Sequence, residues 1–465
     1  MFLTGKLAER SLRRVLEAMQ PVPFTYEVMN IGVSVAALMT MDMIARRLTD
    51  TRGANRIVVP GLCAGDPAAL SEKLGVAVER GPEDLKDLPG YFGRGGRIAA
   101  DLSRYDIQIF AEIVEAPRLS VAQILERAAA YSADGADVID IGGLPGQAFG
   151  HLEETVQALK AAGYKLSVDS LETGELLRGG KAGADYLLSL KGSSLWIADE
   201  VGATPVLIPE QAGDLESLCR ACERMQAQGR PFLADSVLDP IHFGFTDSIV
   251  RYHQLRERCP DIAIMMGIGN LTELTEVDTG GMTALLFGIM SELRVTAILT
   301  TQVSPHARTA VREADWARRI MYAAHEDMSL PKGYHSALLM LHDRKPFPYS
   351  AEEILEMAAD IRDPSYRAQV SEQGVHVYNR DGAVLAQDPF DLFPQLGALK
   401  DDAPHAFYLG VELARAQIAW QLGKRYRQDE ELRWGCATDE PDGEKKNDLH
   451  AYKAAGSTLQ AKKKS

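Results

Sequence analysis

The sequence predicts an α/β protein centred on a (β/α)8, or TIM, barrel, with a small α/β domain before it and a small α+β domain after it. Three observations carry that prediction. Eight apolar runs end near Glu112, Ile141, Asp169, Ser189, Ile208, Ser236, Met266 and Thr300, each followed by a helical pattern, and eight such units is the count of a barrel. Several runs close on an acid, a serine or glycines, as in GADVIDIGG (Gly135 to Gly143) and SVDS (Ser167 to Ser170). Turn punctuation explains one such ending; a set of them in register points to a shared site at the C-terminal ends of the strands. Finally, the rhythm holds only from about residue 103 to about residue 330. A doubly wound open sheet built from the same units is the alternative, because periodicity does not say whether strand eight closes on strand one.

The chain has 465 residues, 46% hydrophobic and 25% charged, enough for two or three globular domains with full cores. A net charge of −15 argues against nucleic acid or an anionic membrane as the main partner. No apolar run approaches the length of a membrane span, and the start MFLTGKLAERSLRR lacks the apolar segment of a secretory signal, so a cytoplasmic location is expected. The five cysteines do not form a disulfide framework. Cys219 and Cys222 make a CxxC, but they lie in the helical pattern Leu215 to Gly229, and no second CxxC completes a zinc site. They are read as ordinary helix residues.

In chain order, residues 1–98 read as the small α/β domain: a helix over Leu7 to Met19, a strand in FTYEVMNIGV, a helix near Val35 to Leu48, a strand at Ile57 to Gly61 and a helix over Ala68 to Leu74. The loop GLCAGDP lacks the Lys and Ser/Thr of a phosphate-binding loop and reads as a plain turn. RGPEDLKDLPGYFGRGG (Arg80 to Gly96) reads as a linker into the barrel, residues 103–330. Within the barrel, Ser120 caps a helix, and Thr246 or Asp247 caps another. Residues 345–436 read as the α+β appendage. It has a helix Tyr349 to Asp363 with Ser350 and Glu353 as a capping box, a hairpin Val375 to Ala386 around Asp381-Gly382, and a helix whose stripe is Leu409, Leu413, Ala416 and Trp420. The rest, 439–465, reads as a mobile tail.

Pooling the strand ends gives Glu112, Glu115, Asp140, Asp169, Ser189, Lys191, Asp235, Asp239, Asn270, His306 and Arg308. Carboxylates that each accept a pair of N–H donors, with an amide beside them, suit a flat heterocycle with a donor-rich edge. Asp169 and Asp239 are the chosen ring holders, and Asp140 is read as a brace inside its strand. Gly280 and Gly281 open a helix after strand seven, and His306 and Arg308 follow strand eight. Together these make an anion corner of the kind a barrel places there.

Over about Ile107 to Met321 the chain resembles dihydropteroate synthase and the wider pterin-binding barrels. GADVIDIGG resembles that family's strand-two motif, KLSVDS its SVDT, KAGADYLLSL its strand-four AGA motif and LADSVLDPIHFGF its LDPG-x-GFGK. The three-part layout looks like the dihydropteroate synthase-related proteins of methanopterin-type cofactor synthesis. The chain differs from the pattern at Glu112, where the family has Asn, and at GIGN, where the family has Ser-Arg-Lys; Asn270 is similar to the Asn of corrinoid-dependent methyltransferases. The resemblance implies a transferase that joins a 6-hydroxymethyl-dihydropterin diphosphate to an arylamine such as a ribofuranosylaminobenzene phosphate, for tetrahydromethanopterin-type biosynthesis. Asp169, Asp239, Ser189 and Lys191 would hold the pterin, Asn270 would stand beside it, and Gly280, Gly281, His306 and Arg308 would take the diphosphate. Glu112 would hold Mg²⁺. The alternatives are methyl transfer to a corrinoid protein and non-catalytic pterin binding. A homodimer is the assembly considered.

Overall fold

The computed structural model describes residues 1–94, 100–343, 345–399 and 402–438, and falls into two compact units, Met1–His335 and Ser336–Ser465. The tail expected at 439–465 lies outside the described residues. Among the described residues, no helix is long and apolar enough to cross a membrane.

The first unit opens with a four-stranded parallel sheet in the order β2-β1-β3-β4: β1 Phe2–Thr4, β2 Val28–Asn30, β3 Arg56–Val59 and β4 Ala77–Arg80. Alternation explains why such short strands hold. Phe2, Val28 and Val58 face one core with Leu12, Leu16 and Leu88, while Leu3, Ile57 and Val59 face the other with Ile44 and Leu70. The expected helices are present as Glu9–Ala18, Met41–Arg47 and Pro67–Leu74, the last capped by Asp66. GLCAGDP is a turn whose carbonyls at Cys63 and Gly65 accept from Arg80. One expectation fails. Much of the stretch read as a linker is core: Leu88 is buried, and Phe92 stacks edge-on against Phe2.

Eight parallel strands then close into a barrel: β5 Gln108–Ile113, β6 Val138–Gly142, β7 Leu166–Asp169, β8 Tyr186–Leu190, β9 Thr204–Leu207, β10 Leu233–Ala234, β11 Ala263–Gly267 and β12 Ala297–Thr300. The pairing of Ala297 with Gln108 and Thr300 with Ala111 closes the ring and rules out the open sheet. Phe110, Val138, Leu188, Val206, Leu233, Met265 and Ala297 fill its interior. Residues two further along the strands point the same way and so reach the mouth. Ser120 caps Val121–Ala133 in a full capping box with Gln123. The helix Phe245–Arg258 instead starts at Gly244, ahead of the Thr246 or Asp247 cap expected.

One buried cation ties the N-terminal end of the barrel together. Arg318 is 1% exposed and donates to the carbonyls of Ile107 and Gly135 and to Asp315 and Asp137, with its guanidinium 3.5 Å from the ring centre of Tyr105.

The second unit has the helix Ala351–Ala359, with Ser350 and Glu353 forming the capping box, shorter than the span expected. An antiparallel sheet follows: β13 Arg367–Ser371, β14 Gly374–Asn379 and β15 Gly382–Ala386. The last two are the expected hairpin. The helix Ala403–Leu422 lays Leu409, Leu413 and Ala416 against Val375 and Val377.

Candidate functional site in the barrel mouth

The register brings acids from the first strands to one level. Glu112 pairs with Asp140 across β5 and β6, Asp140 with Ser167 across β6 and β7, and Gly142 with Asp169. The three carboxylates each place an oxygen within 4.8 Å of the other two. Gly142 makes this possible, because a Cβ there would collide with Glu112 Oε1. Asp140, read as a brace inside its strand, is fully buried and takes the Ser167 hydroxyl of the neighbouring strand on Oδ1, as a brace does, while Oδ2 has no partner among the described residues.

Asp169 accepts from Ser189 Oγ at 2.7 Å. Ser189 reaches it from a left-handed backbone, φ 66°, where β8 slips register between Leu187 and Leu190. Asp235, directly after β10, joins the group. Its Oδ1 accepts from Tyr252 Oη and from the Val237 amide at 2.7 Å. Val237 has φ 67°, a sparsely allowed conformation for a β-branched residue that the surrounding contacts must enforce. Strain of this kind collects at binding loops. Both Ser189 and Val237 aim the mouth's carboxylates.

Burial dominates the electrostatics. It pushes Glu112 up to about 7, with Asp169 adding to the rise. It pushes Asp235 up to about 6 against the pull of Tyr252 and the Val237 amide. Asp140 and Asp169 are also raised by burial, Asp140 further by its acidic neighbours. A carboxyl raised on folding contributes stability that is complete below its unfolded pKa near 3.8 and is lost as pH rises through about 6. Asp235→Asn should therefore match the parent near pH 4 and be more stable near pH 8 by about 2 to 3 kcal/mol. Urea melts at the two pH values check this; equal or lower stability of the variant at pH 8 contradicts it.

The other expected residues are placed differently. Asp239 is paired with Arg251 at 2.6 Å, so its charge is already met. Asn270 donates to the Leu238 carbonyl at 2.7 Å, which fixes its amide against the same loop. Lys191 Nζ donates to the Glu210 carbonyl at 3.2 Å, and Glu115 turns away to Arg118 at 2.8 Å. The expected anion corner holds acids of its own. Glu313, 1% exposed, accepts from Thr279, Thr283 and Thr309 at the start of the helix Thr279–Leu293. Glu273 takes the Val303 and Ser304 amides, both at 2.8 Å. His306 Nε2 donates to the Thr272 carbonyl at 3.0 Å; Arg308 is exposed and donates to the Pro305 carbonyl at 3.2 Å. Gly280 is buried and Gly281 exposed, with open space above Gly281. The structure thus assembles Glu112, Asp140, Asp169, Ser189 and Asp235, and leaves the corner residues bonded locally.

Sequence reasoning pooled Asp140 and Asp235 without choosing either as a ring holder, and passed over Tyr252. The acids were visible as strand ends. Tyr252 reaches the site from a helix, and no local pattern announces it. Cys219 and Cys222 are buried in the helix Leu215–Ala227; burial, with Cys259 nearby, raises the Cys219 thiol to about 11 and the Cys222 thiol further, so neither ionises near neutral pH.

Residues 1–83 match the model of a family of unknown function, DUF6513. The uncharacterized protein MJ0107 of Methanocaldococcus jannaschii is 25% identical over an alignment of 524 residues that takes in 93% of this chain and 98% of the relative. Among solved structures, the chain is similar to Yersinia pestis dihydropteroate synthase bound to a pterin–sulfa conjugate: 20% identity, 49% of this chain, 98% of that chain, TM-score 0.38. It is also similar to the Xanthomonas albilineans dihydropteroate synthase in complex with 7,8-dihydropteroate: 17% identity, 48% of this chain, 94% of that chain, TM-score 0.39.

Proposed function

We propose that the barrel mouth binds a pterin and that the chain is a transferase condensing a 6-hydroxymethyl-dihydropterin diphosphate with an arylamine, in tetrahydromethanopterin-type cofactor biosynthesis. The observation that carries the binding half is the buried carboxylate group. Asp169 and Asp235 lie close enough to repel one another, and among the described residues no lysine or arginine pairs with either. A pterin edge presents adjacent N–H donors, and a carboxylate accepts such a pair as it accepts a guanidinium. Asp169 and Asp235 take that edge in this reading, with the Asn270 amide at the rim; Asp239, paired with Arg251, supports the loop.

For condensation, the ring's electron push expels diphosphate and a neutral aniline nitrogen attacks the methylene. The C–O bond to diphosphate breaks, the C–N bond forms, and the nitrogen loses one proton to solvent or a carboxylate. Positioning and stabilisation of the leaving charge are the protein's share. Arg308 is exposed and, among the described residues, is bonded only within its own turn, so it can swing toward a leaving anion at little cost.

One observation favours the second reading, methyl transfer to a corrinoid protein: Glu273 and Glu313 already occupy donors of the anion corner. The test is purified protein with Mg²⁺, a dihydropterin diphosphate and a panel of arylamines including a phosphoribosylated aniline. Pyrophosphate release with a pterin–arylamine conjugate is expected. Arg308→Ala should lower that rate about tenfold or more while leaving affinity for the bare pterin nearly unchanged, because its partner is the developing anion. Absence of pyrophosphate across the panel, with demethylation of a methyl-tetrahydropterin by a corrinoid protein, moves the assignment to methyl transfer.

A further inference from the structure

The mouth carries more buried carboxylate than a flat heterocycle uses. Glu112, Asp140 and Asp169 come from three successive strands and converge to within 4.8 Å. The Ser167 hydroxyl has one proton to give, and it goes to Asp140 Oδ1. Asp140 Oδ2, on a residue with no exposed surface, is left without a donor. A buried, unpartnered carboxylate oxygen costs several kcal/mol unless something neutralises it. Among the described residues, no lysine or arginine does so for any of the three. A Cβ at position 142 would collide with Glu112 Oε1, so glycine there lets the Glu112 carboxylate keep this position.

We propose that Glu112, Asp140 and Asp169 form a site for one hard divalent cation, Mg²⁺ or Mn²⁺, that fills without any substrate present. The sequence placed Mg²⁺ on Glu112 alone; the fold adds two ligands, one of them the residue read as a brace. Three anionic oxygens and no nitrogen or sulfur are the donor set that such ions prefer. With Mg²⁺ bonds of about 2.0 to 2.1 Å, oxygens on adjacent and opposite positions of an octahedral shell stand roughly 3 and 4 Å apart, within the 4.8 Å limit that encloses the three ligand atoms. Three protein ligands leave the remaining positions of an octahedral shell to water or to a substrate oxygen. The inference does not rest on the pterin reading, though the two share Asp169.

The experiment titrates metal-free, full-length protein with Mn²⁺, following the free ion by electron paramagnetic resonance, with Mg²⁺ as competitor and no pterin present. One Mn²⁺ per chain, displaced by Mg²⁺, is expected. Asp140→Asn should weaken Mn²⁺ at least tenfold, while its metal-free form melts no lower than the metal-free parent, because one buried charge is gone. Glu112→Gln attacks the site from a different strand and keeps the test open should the first variant fold poorly. No stoichiometric Mn²⁺, or affinity unchanged in both variants, overturns the proposal. Because no pterin is present, failure of the pterin reading leaves these outcomes untouched.

Discussion

Asp169→Asn is expected to weaken the affinity for a dihydropterin by roughly 100- to 1000-fold while the barrel stays folded. The carboxylate sits at the end of β7, opposite Gly142 and Leu188, and among the described residues only Ser189 Oγ hydrogen-bonds it. Charge-assisted hydrogen bonds are worth about 1.5 to 3 kcal/mol each, and an amide turned toward a donor pair also leaves one N–H unpaired. The apo fold gains from the same change, since burial raises Asp169 and neutral Asn carries no desolvation cost. Calorimetry of parent and variant with a dihydropterin, beside thermal melts, separates the two effects. Parent-like affinity in the variant removes Asp169 from the ring site.

Arg318→Met should cost about 3 to 5 kcal/mol of stability, the range for breaking a buried ion pair by removing one partner. The side chain joins the carbonyl before β5, the carbonyl before β6 and two carboxylates, Asp137 and Asp315. Asp137 in turn accepts from the Ile109 amide, so the same cluster holds the register of the first two strands. Methionine fills much of the volume but leaves Asp137 without its guanidinium and the Ile107 and Gly135 carbonyls without this donor, while Asp315 keeps Arg319 at 2.9 Å. A loss below about 1 kcal/mol in urea unfolding would show that the brace is dispensable.

The barrel was legible because its strands are buried on both faces and therefore read as apolar runs, and because the runs stop on residues that prefer turns. The flanking sheets were harder. β1 is three residues beside the N-terminus, and β13 reads as polar sequence because Arg367, Gln369 and Ser371 interleave with its two buried apolar residues, Ala368 and Val370. The linker expectation failed at Leu88 and Phe92: prolines and glycines announce turns, but not whether the residues between them find a core.

In the site, residue types at strand ends were visible and their partners were not. Asp239 stood out as part of a motif, yet Arg251, from the helix that follows, neutralises it, while Asp235, four residues earlier, faces the mouth unpaired by any cation among the described residues. Asp140 looked structural because it lies inside its strand; its closeness to Glu112 and Asp169 comes from the packing of three strands, which no local pattern carries. The Gly280-Gly281 start, His306 and Arg308 have the composition of an anion corner. That Glu273 and Glu313 fold back onto the same loops is a tertiary fact that no local pattern carries.

The most direct test of the central claim is a crystal of the full-length chain soaked with a dihydropterin diphosphate. The account predicts density for the ring in the barrel mouth, its amino edge within hydrogen-bond distance of the carboxylates of Asp169 and Asp235. A well-ordered pterin bound elsewhere, or a mouth that stays empty at a concentration where calorimetry detects binding, would contradict it.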